Sequence, residues 1–174
     1  MNRITSLIAK VVIVATLLSC CGEAARNHSS EYIHLHSAGG WGFDSDIWLL
    51  PDDSYLVRTV DSGSGEIEEQ TRGRSYGASQ RLTRQATDEE AWELTSDDLE
   101  SDLKAAEHGA IVGVTDASHD YLEFRAKEHT LIADFYAAEP LAKAYPNAKQ
   151  LAAFDRLIQS LRKETSQKQS QPGR

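Results

Sequence analysis

Leu151, Phe154, Leu157, Ile158 and Leu161 recur at the three- and four-residue spacing that gathers apolar side chains into one wide helical stripe. A stripe of that width holds in water only when another element covers it, so the rest of the chain must offer a matching apolar surface. Alternation supplies one. Residues Tyr121 to Ala126 put Leu122 and Phe124 on one side, and Thr130 to Tyr136 put Leu131, Ala133 and Phe135 on one side, the period of half-buried strands. Pro140 suits the first turn of a short helix, and Asn147, with Gln150 three positions on, is the expected N-cap of the long one.

The first half reads as strands and turns. Tyr32 to His36 is a short strand. Asp46 to Leu50, the turn Pro51-Asp52-Asp53, and Ser54 to Val60 form a hairpin with Tyr55, Val57 and Thr59 on one face. Ser62 to Gly65 is a second turn, followed by a polar strand through Ile67, and the polar, Arg-rich residues 73–90 read as a loop. Thr95 and Asp98 fit a capping box, Leu99, Leu103 and Ala106 follow at helical spacing, and Gly109 ends that helix. Ile111 to Thr115 is a further strand, and Asp116–Asp120 and Lys127–His129 are turns. The expected architecture is α+β: an antiparallel sheet of six or seven strands with two main helices packed on one face. Residues 31–164 form this single domain, and residues 165–174 form a disordered polar tail.

The N-terminus carries a different signal. Arg3 precedes an apolar run from Val11 to Leu18, broken only by Thr16, far short of the ~20 residues that span a bilayer. This is the pattern of an export signal. Leu17-Leu18-Ser19-Cys20 resembles the lipobox of bacterial lipoproteins, with a small residue before an obligatory Cys. The resemblance covers the first 20 residues. It implies a signal peptide at residues 1–19, a diacylglyceryl thioether on Cys20 and cleavage just before it. It also implies a membrane held through acyl chains, with residues 20–30 as lipidated Cys and tether. Cys21 stands where many inner-membrane lipoproteins of Gram-negative bacteria carry Asp, so in such a host the implied location is the periplasmic face of the outer membrane.

Cleavage before Cys20 would remove Arg3 and Lys10 and no acid, taking Lys+Arg from 18 to 16 against 27 Asp+Glu, a side-chain charge of −11. Such a domain repels phosphate backbones, which argues against nucleic-acid binding, and attracts cationic partners. With Cys20 acylated, Cys21 is the last thiol, so no internal disulfide forms and stability rests on an apolar core. Cys21 is left as a free thiol, an intermolecular link or a second acylation site.

Three constellations carry possible chemistry. His34 and His36, two apart on a strand, present both imidazoles on one side and could hold Zn²⁺ or Cu²⁺ with His28 or an Asp as third ligand. Ser118, His119 and Asp120 are adjacent, which is the wrong arrangement for a triad that must converge through space. Asp44, Asp46, Asp52 and Asp53 bracket Trp48 and could form an acidic patch that recognises a cation-rich protein or a sugar, with Trp41 or Trp48 as its anchor, although Trp48 on a strand is itself expected toward the core. Trp41 lies among Gly39, Gly40 and Gly42 and could anchor a partner. No nucleophile elbow, P-loop, zinc-protease or dinucleotide motif occurs. The expectation is a non-enzymatic, cofactor-free envelope lipoprotein: an acidic protein-binding module of the kind that would inhibit a basic cell-wall hydrolase. The alternative is a metal-binding lipoprotein using His34 and His36.

Overall fold

The computed structural model describes residues 31–39, 42–107 and 114–166. Six strands form one antiparallel sheet: β1 (Tyr32–Ala38), β2 (Phe43–Leu49), β3 (Ser54–Asp61), β4 (Ile67–Arg74), β5 (His119–Ala126) and β6 (His129–Tyr136). Their spatial order is β4-β3-β2-β1-β5-β6. The first four strands are joined as successive hairpins, and the β5–β6 hairpin adds to the free side of β1. The first strand of the domain therefore becomes central.

The register sorts the two faces. Ile33 lies between Leu49 and Phe124, and Leu35 between Ile47 and Leu122. All six are buried, with exposures of 5% or less. On β6, Leu131, Ala133 and Phe135 continue this apolar face. Four helices cover it: α1 (Ala78–Asp88), α2 (Ser96–Ala106), α3 (Ala138–Ala144) and α4 (Lys149–Ser166). The long helix α4 presents Leu151, Phe154, Leu157, Ile158 and Leu161, all fully or almost fully buried, as the stripe requires.

The expected α+β sheet with helices on one face is what forms, with six strands and two further helices. One of these, α1, lies in the segment read as a loop. Its buried face is only Ala78, Leu82 and Ala86, a single file of small residues too narrow to register as an apolar stripe. Gly77 begins α1 in a left-handed conformation and has no side chain to cap it. Asp53, from the β2–β3 turn, accepts the Gly77 and Ser79 N–H groups at 2.6 and 3.0 Å instead. A carboxylate at that end also opposes the positive pole of the helix.

The long helix is capped the same way. It begins at Lys149, and Asn147 lies in the turn before it. Asp102 of α2 accepts the Gln150 and Leu151 N–H groups at 2.7 and 3.1 Å. Asp102→Ala is therefore expected to destabilise the domain by about 1 kcal/mol, the usual worth of a cap. An unchanged midpoint in urea unfolding would show that water replaces the carboxylate at no cost.

Other boundaries shift modestly. Helix α4 continues through Ser166, with Thr165 buried and its hydroxyl donating to the Leu161 carbonyl, so the domain runs past residue 164. The capping box of α2 forms as expected, from Thr95 and Asp98. Val114 and Thr115 are not in a strand, while residues 111–113 of that expected strand, Gly109 and residues 167–174 lie outside the described residues. No described helix is long and apolar enough to cross a membrane.

Candidate functional site

Helices cover one face of the sheet, and the side chains on the other face alternate with the core in sequence. On β1 these are Tyr32, His34 and His36; on β2, Asp46 and Trp48; on β5, Tyr121, Glu123 and Arg125. Because β1 lies between β2 and β5, the three sets meet over the middle of the sheet. Cross-strand neighbours set the contacts: His34 stands opposite Trp48 and Glu123, and His36 opposite Asp46 and Tyr121.

Two linked polar clusters result. In the first, Oδ1 of Asp46 lies 3.0 Å from His34 Nε2 and 3.1 Å from His36 Nδ1, so a single carboxylate oxygen serves both imidazoles. Burial pushes the Asp46 carboxyl up, but hydrogen bonds from both histidines outweigh it and hold this carboxyl far below the usual range. The bond to Asp46 raises the His36 imidazole above its ordinary value, against partial burial. The His34 ring stacks on Trp48 with centroids 3.8 Å apart and planes 11° from parallel.

In the second cluster Glu123 is 8% exposed. It accepts from the Tyr32 hydroxyl at 2.5 Å and from Arg125 Nε at 2.7 Å on one oxygen, and from the Tyr121 hydroxyl at 3.4 Å on the other. Burial pushes Glu123 up, and these donors more than compensate, leaving it below the usual carboxylate range. Burial and the adjacent carboxylate raise both tyrosines. Tyr32 also tilts against Trp48 at 5.6 Å, joining the clusters.

The titrations define a pH window. The His36 contribution is complete below its ordinary value of 6.5 and is lost as pH climbs through the raised folded value. Asp46 works in the opposite sense: its contribution is present above 3.8 and lost as pH falls through the depressed value. The cluster therefore stabilises most in mildly acidic solution. Urea unfolding should show wild type more stable than His36→Gln below pH 6.5, with the gap closing as pH rises through the raised folded value of His36. A gap independent of pH would mean that the His36–Asp46 bond does not discriminate between protonation states.

The sequence-level candidates divide between these clusters and plain structural roles. His34, His36, Asp46 and Trp48 come together, although Trp48 was expected toward the core and instead lies half-buried on the open face. The strand's alternation places it there, since Ile47 and Leu49 take the core side. Asp44 accepts the Gly39 N–H at 3.3 Å. Asp52 and Asp53 sit in the β2–β3 turn, away from the histidines. Asp52 binds Ser54 and pairs with Arg74 at 3.0 Å, while Asp53 caps α1. The four aspartates thus form no common patch. Trp41, His28 and Cys20 lie outside the described residues.

For a metal, among the described residues no group of three or more His, Cys, Asp or Glu is placed to hold an ion. Asp46 stands between the histidines as a hydrogen-bond acceptor. Nor do Ser118, His119 and Asp120 act together. His119 reaches out to Asp134 at 2.7 Å, whereas Asp120 turns into the core, accepting from Ser118 at 3.1 Å and Arg162 at 2.8 Å. Ser96 also binds Asp134, so that carboxylate separates the serine from the imidazole, the reverse of triad order. A cleft of about 440 Å³ opens beside Pro51, Asp53, Thr83, Lys127 and His129, but Asp53 is committed to the α1 cap.

Tyr32, Tyr121, Glu123 and Arg125 were not singled out in the sequence. Their signal was present, because each alternates with an apolar residue of the core face. Only the strand order brings them to the histidines. The charge is distributed differently again. Residues 88–107 carry nine acids (Asp88, Glu89, Glu90, Glu93, Asp97, Asp98, Glu100, Asp102, Glu107) and one base (Lys104), a net of 1 − 9 = −8. This stretch runs from the end of α1 through α2. On the open sheet face, by contrast, acids and bases are mixed.

No known protein family matches the chain, and no curated protein does.

Proposed function

We infer that the protein is a bacterial envelope lipoprotein, anchored through acyl chains on Cys20, which works by binding a cationic protein and performs no catalysis. The acid-rich stretch at residues 88–107 carries this reading. Its net −8 accounts for most of the −11 expected of the processed chain. A field concentrated on one helix and its approach steers a basic partner far better than the same charge spread evenly. The partner class that suits an envelope location is a basic cell-wall hydrolase, which the lipoprotein would restrain.

The test is inhibition. Full-length protein in detergent is added to a cationic muramidase digesting cell walls, at about 50 and about 500 mM salt. Inhibition that is strong at low salt, weak at high salt and lost in Glu90→Gln/Glu93→Gln/Asp97→Asn/Glu100→Gln supports the reading. Inhibition insensitive to salt and to these substitutions, or none at either salt, removes the electrostatic account. Anchoring is checked separately: Cys20→Ser should abolish incorporation of labelled palmitate and release the protein from membranes.

A further inference from the structure

The sheet has two edges, and the chain treats them differently. Along β6 the outer edge is closed by the residues leading into α2. The Glu93 N–H donates to the Thr130 carbonyl at 3.0 Å, and Ser96 Oγ accepts the Asp134 N–H at 3.0 Å while donating to the Asp134 carboxylate at 2.7 Å. At the other edge β4 pairs with β3 on one side and, among the described residues, has no strand on the other. It is eight residues long, and every residue but Gly73 is exposed.

An open edge of this length is a template for another strand, and proteins usually blunt it with proline, brevity, a bulge or charged side chains, lysine above all. Ile67-Glu68-Glu69-Gln70-Thr71-Arg72-Gly73-Arg74 has no proline or lysine and is not short, and its four charges are of both signs, so they complement a strand of opposite polarity where charges of one sign would repel it. A register irregularity faces the Glu68 end, and Glu69 to Arg74 stay in continuous register with β3. The charges are divided by end, with acids at Glu68 and Glu69 and bases at Arg72 and Arg74. The side chains of Glu68, Glu69 and Arg72 make no ion pair or hydrogen bond among the described residues, and Arg74 pairs with the exposed Asp52.

We propose that β4 is a self-association strand, pairing antiparallel with β4 of a second copy about a two-fold axis normal to the sheet. Directly opposite residues of such a pair share a face, so the axis must pass midway between the two copies of one residue. Centred on Gln70, it sets Glu68 across from the second copy's Arg72. Centred on Thr71, it sets Glu68 across from the second copy's Arg74. Either way each acidic end meets a basic end, twice by symmetry, whereas parallel pairing in register would stack like on like. Contact at this edge also covers Ile67, one of the few exposed large apolar side chains. The closed β6 edge blocks head-to-tail growth, so the product is a closed dimer whose two six-stranded sheets become one.

Two charge-inverted variants test this in the full-length chain in detergent, by analytical ultracentrifugation. Wild type should sediment with the mass of a dimer. Glu68→Lys/Glu69→Lys and Arg72→Glu/Arg74→Glu, each alone, should sediment as monomers because both ends of β4 then carry one sign. Mixed in equal amounts they should recover the dimer, since each supplies the charge the other lacks. A monomeric wild type, two variants that dimerise as wild type does, or a mixture that stays monomeric would overturn the proposal. Should a variant fail to fold, crosslinking decides. In a Cys21→Ser background, Gln70→Cys or Thr71→Cys should form a disulfide-linked dimer, and Ile132→Cys on the open face should not. Absence of a crosslink at both edge positions overturns the pairing.

Discussion

Asp120→Ala is expected to lower the stability of the domain by about 3–5 kcal/mol, the range for breaking one side of a buried ion pair. Asp120 is 1% exposed on the helix-facing side of β5. Arg162 of α4 reaches it at 2.8 Å and also donates to Ser37 on β1 at 2.9 Å, and Ser118 completes the acceptor set. The pair therefore ties the long helix to β1 and β5 at one point. Its removal leaves Arg162 and Ser37 facing a cavity within an apolar layer. The converse substitution sharpens the prediction. Asp120→Leu/Arg162→Met removes both charges and should recover most of the loss, because a desolvated pair gains little over apolar packing. Chemical denaturation of wild type and the two variants measures both effects. A loss below about 1 kcal/mol for Asp120→Ala would mean that Arg162, whose side chain is 31% exposed, swings into water and relieves the mismatch.

Phe154→Ala should cost about 3–5 kcal/mol as well, for a different reason. Phe154 is fully buried on α4, the helix against which α1, α2 and α3 all pack and which also meets β2 and β3. Truncation there opens a void where several elements converge, so no single neighbour can move to fill it. Phe154→Leu should recover more than half of the loss, since it returns most of the apolar volume. Equal destabilisation by Ala and Leu would point to a shape requirement of the ring and away from volume.

Much of the fold was legible because burial imposes a period on the chain. Leu122 with Phe124, Leu131 with Phe135, and the α4 stripe each repeat at the spacing their element demands, and each lies in the core. Where burial leaves only a faint trace, the sequence misleads. The face of α1 is Ala78, Leu82 and Ala86 inside a run of polar residues, so the helix reads as a loop. Its cap, and that of α4, come from Asp53 and Asp102, which are distant in sequence. No local rule connects them with the helix starts they serve.

The open face of the sheet shows the same division. From Tyr32-Ile33-His34-Leu35-His36 it follows that both histidines share the side opposite the core, because strand side chains alternate. That Asp46 would serve both, that Trp48 would stack on His34, and that Glu123 would be buried beneath two tyrosines depends on β1 lying between β2 and β5. Strand order is decided by long-range packing, and alternation within a strand is silent on which strand lies beside it. The composition of the acidic stretch and the charge division along β4 were determined residue by residue in the sequence. Only the tertiary structure left one edge of the sheet without a paired strand and covered the other, because the segment entering α2 folds against β6 and, among the described residues, no second strand pairs with β4.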